Sequence, residues 1–162
     1  MDCTIAMSLL SESLTGDIGE EWEYSVEARV FNPELTGAGA ISVAEHRLRP
    51  GTSQPMPAFI ESIVLPAGPC NTGPVVELIL RARELDWLID DDGSNLIRVP
   101  VECPGPGGPS NIIEPEISAR VREVPSIRGR FATLRVQVRL VAESVQTSLT
   151  PRPVPLEASS QA

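Results

Sequence analysis

Hydrophobic and polar residues alternate most cleanly between Gly129 and Ser144. Ala132, Leu134, Val136, Val138, Leu140 and Ala142 share one phase of a period-two pattern. Thr133, Arg135, Gln137, Arg139, Val141 and Glu143 share the other. A segment of this kind is a β-strand with one dry face and one wet face. Glu20–Phe31 repeats the pattern, with Trp22, Tyr24, Val26, Ala28 and Val30 on the dry side. Asn32-Pro33 ends it, because proline has no N–H for the ladder and restricts the residue before it. Cys3–Leu14 is a further strand, with Cys3, Ile5, Met7 and Leu9 on one face. Ala58–Leu65, Val75–Arg83, Leu96–Cys103 and Glu116–Val124 add four more. Pro100 sits on the outward phase of its segment, which places that strand at an edge or a bulge. Gly37–Arg49 is less regular. Ile41 and Val43 share a face, Glu45 then takes it, and His46 and Leu48 fall opposite. A bulge near Ala44 restores the phase.

Turn and loop signals separate these strands. Arg49–Pro57 is a proline-bounded loop, and Pro104–Ser110 is another. Glu84–Asp90 has the pattern of a single helical turn, followed by a turn at Asp91-Asp92-Gly93-Ser94. About eight strands, little helix and frequent Pro/Gly punctuation predict an all-β fold. The expected architecture is an antiparallel β-sandwich, of the jelly-roll, immunoglobulin-like or calcium-lipid-module-like kind. Residues 1–149 form one domain. Residues 150–162 form a tail in which Pro151, Pro153 and Pro155 alternate with other residues, an extended arm suited to lying along a neighbour.

Composition narrows the function classes. Hydrophobic residues are 41% and aromatics 4%, so aliphatic side chains fill the core. A net charge of -9 repels phosphate backbones and argues against nucleic acid as a partner. The sequence has no apolar run long enough for a transmembrane helix. The amino-terminal residues lack the positive segment of a signal peptide, so a cytoplasmic or virion location is expected. All 13 basic residues are arginine, which removes lysine-based chemistry. Cys3, Cys70 and Cys103 show no metal spacing, and reduced thiols are expected, with one bridge plus a free thiol as the alternative.

Candidate chemistry is sparse. Asp86, Asp90, Asp92 and Asn95 gather oxygen ligands of the type calcium takes, although Leu88 stands where an EF-hand needs its first acidic ligand. His46 is the only histidine, no GxSxG elbow accompanies it, and it is expected as a solvent-facing or satisfied strand residue. Glu114 and Glu116, or Glu21 and Glu23, are spaced to share a strand face, as a carbohydrate-active pair would require. Trp22 belongs to the core phase, whereas Trp87 is the better exposed aromatic anchor. Acidic residues mark the second strand (Glu21, Glu23, Glu27) and basic ones the seventh and eighth (Arg120, Arg122, Arg135, Arg139). These either pair across neighbouring strands or form an acidic and a basic face for association.

The reading these features favour is a non-enzymatic structural or protein-interaction module without a cofactor. It would be a subunit of a homo-oligomer or of a larger assembly, such as a phage or virus particle or a secretion-like machine. The expected interface residues are Trp87, Arg135, Arg139, Pro151, Pro153 and Pro155. The alternatives are a calcium-dependent ligand- or lipid-binding module and a carbohydrate-active or carbohydrate-binding sandwich.

Overall fold

The computed structural model describes residues 2–16, 18–66, 73–86, 89–124 and 129–145. Nine strands follow one another: β1 (Asp2–Gly16), β2 (Glu21–Phe31), β3 (Leu35–Arg47), β4 (Ser53–Leu65), β5 (Val75–Glu84), β6 (Asp91–Pro100), β7 (Asn111–Ile113), β8 (Glu116–Arg122) and β9 (Phe131–Val145). They form two antiparallel sheets and an all-β sandwich. Sheet 1 has the order β4-β1-β9, with β7 and β8 both paired to the far side of β9. Sheet 2 has the order β3-β2-β5-β6. Pro115 separates β7 from β8, and its carbonyl still accepts from Val138 N at 3.0 Å.

The dry phases meet between the sheets. From β9, Ala132, Leu134, Val136, Val138, Leu140 and Ala142 are all fully buried. Trp22, Val26, Ala28 and Val30 face them from β2, and Leu78 and Leu80 from β5. At roughly 1.5–3 kcal/mol for each large aliphatic side chain, this burial drives folding.

Three stretches differ from the sequence-based expectation. β4 begins at Ser53, so Pro55 and Pro57 lie inside a strand. An edge strand tolerates them, because β4 bonds only to β1. Asp91–Ser94 is the start of β6 and not a turn, since it pairs with Glu84–Arg81 of β5. No helical turn occurs at the described residues of 84–90. Cys3 and Cys103 are bridged, with Cα atoms 5.9 Å apart, in place of the reduced thiols expected. Cys70 lies outside the described residues.

The sheets also touch along both long edges. A Cβ on Gly93 of β6 would stand 2.4 Å from the Arg120 carbonyl oxygen of β8. Beside it, Asn95 Nδ2 donates to Ser118 O at 2.8 Å. On the opposite seam, a Cβ on Gly39 of β3 would stand 2.3 Å from Glu61 Cβ of β4. These glycines carry no left-handed φ; they are needed for close approach.

Two outcomes test this account. Gly93→Ala should lower stability by at least about 2 kcal/mol in urea unfolding, whereas Gly105→Ala, which meets open space, should be near neutral. Removing the bridge in a Cys3→Ser/Cys103→Ser double variant should lower stability by about 2–5 kcal/mol, measured by the same method.

Candidate functional site

Two bulges, one in each sheet, turn polar residues into the interior. In β1 the register slips between Leu9 and Ser11. Leu9 and Leu14 are both buried, and Glu12 between them takes the inward phase at 1% exposure. In β3, Trp22 pairs with His46 but Tyr24 pairs with Val43, so an extra residue lies at Ala44–Glu45. That bulge turns His46 and then Leu48 inward, as the broken phase in the sequence predicts.

Glu12 and His46 meet between the sheets. His46 Nε2 lies 2.7 Å from Glu12 Oε1, and Nδ1 lies 2.9 Å from the Ala44 carbonyl. The carbonyl can only accept, so Nδ1 donates to it. Gln54 Nε2 of β4 donates to the same Glu12 oxygen. Tyr24 packs edge-on to the imidazole, with ring centroids 6.1 Å apart. Burial, reinforced by the Glu12 carboxyl, raises the Tyr24 phenol far above its usual range. Glu12 Oε2, Trp22 Nε1 and Tyr24 Oη have no hydrogen-bond partner among the described residues. Glu12 and His46 form a pair able to hold a proton. Both nitrogens of the ring are already engaged, however, so neither is left to activate a serine or cysteine.

Carboxylates crowd one end of sheet 2. Glu84 and Asp91 face each other across β5 and β6, and both are buried. Asp91 accepts from Val124 N at 2.8 Å. A Cβ on Gly19 would fall within the Glu84 carboxyl, so the β1–β2 connection closes directly over it. Burial, then Asp86, Asp91, Asp90 and Glu123, push the Glu84 carboxyl up to about 7. Burial also raises Asp91, against the lowering effect of the Val124 N–H.

The outer face of sheet 2 carries a trough of about 650 Å³. Its side chains stand in two cross-strand rows. Ser42, Ser25, Arg81 and Ser94 form one, and Glu23, Arg83 and Asp92 form the other. Arg83 bonds Asp92 at 2.8 Å and Glu23 at 3.3 Å, and Arg81 reaches Glu27 at 3.2 Å. The ladder continues through Arg29, Glu77 and Arg98. Arg29 holds the Glu27 carboxyl below its usual range, against a smaller effect of burial.

The residues singled out from sequence are dispersed. Asp92 is tied to Arg83, Asn95 to Ser118, and both lie along β6. Asp86 and Asp90 lie in the β5–β6 connection, and no group of three potential metal ligands forms among the described residues. Arg135 pairs with Glu116 at 3.6 Å, and Arg139 with Glu114 at 2.7 Å. The two glutamates are therefore partners of arginines and not of each other. Strand β2 is not a neighbour of β8 or β9, and its Glu23 and Glu27 pair instead with Arg83 and Arg81 of β5, within sheet 2. Trp22 is core at 0% exposure. Trp87, Pro151, Pro153 and Pro155 lie outside the described residues. Sequence reasoning missed Glu12; its only signal is the doubled Leu9-Leu10 that breaks the alternation. The chain matches no protein-family model, and no curated protein sequence is similar to it.

Two measurements follow. His46→Leu leaves the Glu12 carboxylate buried and should lower stability by about 3–5 kcal/mol, while Glu12→Met/His46→Leu should recover most of that loss. Glu84 binds its proton more tightly in the folded chain than at its ordinary value of 4.5. Its contribution is whole below that value and is lost as pH rises toward about 7. Urea unfolding should therefore show about 1–3 kcal/mol less stability at about pH 8 than at about pH 5, and Glu84→Gln should flatten the difference.

Proposed function

We propose that this chain is a non-catalytic β-sandwich module that associates with protein surfaces, its own copies included, through the outer face of sheet 1. One observation carries the reading: large apolar side chains gather on one end of that face. Phe59 and Val64 of β4, Ile112 of β7 and Val145 of β9 are all exposed there, Phe59 at 64% and Ile112 at 59%. The register sets Ile112 opposite Val141, Val141 opposite Ala6, Phe59 opposite Ser8 and Val64 opposite Thr4. The patch runs over Thr4, Ala6 and Ser8 of β1, which are inexpensive to dehydrate, while Glu143 and Arg139 of β9 stand in the Thr4 and Ser8 rows, bonded to Ser110 and Glu114. Exposed apolar groups gathered in this way mark interaction sites.

Charge works in a different direction. Most arginines of the outer faces are paired within the molecule, and copies of net charge -9 repel at long range. The attraction is therefore apolar and short-ranged, and added salt strengthens it by screening. The Cys3–Cys103 bridge favours an oxidising compartment over the cytoplasm expected from the sequence.

Light scattering coupled to size-exclusion chromatography tests the reading. The wild-type chain should be larger than a monomer at micromolar concentration, more so in higher salt. Phe59→Asp/Ile112→Asp should run as a monomer with an unchanged melting temperature. A wild-type chain that stays monomeric across concentration and salt removes self-association.

A further inference from the structure

The trough on the outer face of sheet 2 lies away from the apolar patch and has its own chemistry. Four strands at a spacing of about 4.8 Å make it about 14 Å across. Its volume of about 650 Å³ falls within the range of small-molecule sites. The concavity has a plain cause. Its floor is short side chains, Ser42 and Ala44 of β3 and Ser25 of β2, while Glu23 of β2 and Arg81 and Arg83 of β5 rise beside them.

The lining defines a ligand class. Ser25, Ser42 and Ser94 make no side-chain hydrogen bond among the described residues, so each hydroxyl is available to donate and accept. Arg81 and Arg83 are fixed by Glu27, Glu23 and Asp92, which makes them oriented donors beside oriented acceptors. An anion would meet these carboxylates and a cation these guanidiniums, so an ion of either sign is opposed. The rows present no large exposed apolar side chain, so a peptide would find no pocket for its own side chains. A neutral ligand rich in hydroxyl groups meets every group in kind. We infer that this trough is a binding site for a neutral oligosaccharide, laid across the strands of sheet 2. The site is independent of association through sheet 1, because the two use opposite faces of the sandwich.

Amide chemical-shift titration of the full chain with cellotriose, maltotriose and triacetylchitotriose tests this, at up to about 10 mM because such affinities are weak. Sodium sulfate serves as the ionic arm. At least one trisaccharide should shift amides of Ser25, Ser42 and Ser94. Arg81→Ala should weaken that binding about fivefold, the worth of one hydrogen bond. Ser25→Trp, which fills the trough at a surface position, should abolish it without lowering the melting temperature. The inference is overturned if no trisaccharide produces shifts, if sulfate alone produces them, or if Ser25→Trp leaves binding intact.

Discussion

Closure of the two sheets onto each other along both long edges is the constraint on which the rest of the molecule depends. An open sandwich of this size leaves rows of unpaired edge groups and exposes the flanks of its core. Here β6 lies against β8 and β3 against β4, and side chains are deleted where backbones must meet. Gly93 and Gly39 are those deletions. The aliphatic core then has walls on every long side. A mostly Val, Leu, Ile and Ala interior with few aromatics can be dense only if the layers approach closely, and the glycine seams permit that approach.

The same closure explains where polar groups enter the interior. Glu12 and His46 come from different sheets and meet because bulges in β1 and β3 lie near the β3–β4 seam. A bulge re-aims a side chain without breaking the sheet around it. The result is a partly buried pair whose desolvation offsets much of what its contact contributes. At the other polar site, Glu84 and Asp91 share a register row, and burial with the neighbouring carboxylates raises both above their usual ranges.

Much of this was legible from alternation alone. The dry phases of β2 and β9 are the buried faces, and the irregularity at Ala44 announced its bulge. The signal failed where tertiary context overruled local chemistry. Asp91-Asp92-Gly93-Ser94 has turn composition, but Gly93 serves a seam that no local pattern reveals. Pro55 and Pro57 look like loop residues until β4 is known to be an edge. Whether the charged rows pair or form separate faces depends on sheet order, which the sequence does not state. The Cys3–Cys103 bridge spans 100 residues, and spacing rules written for short motifs do not reach that far. Of the candidate site, Trp22 and His46 were visible as core or satisfied residues. Glu12 was hidden by its bulge, and the sheet 2 trough is a property of register.

The pairing of β1 with β9 has a consequence for biosynthesis. β1 finds its central partner only in β9, more than a hundred residues further along the chain. Sheet 2 is complete once β6 has been made, whereas sheet 1 waits for β9. Until then β1 has β4 on one side and an open ladder on the other. Closing sheet 1 is therefore dominated by long loop closure and slow by the standards of small domains.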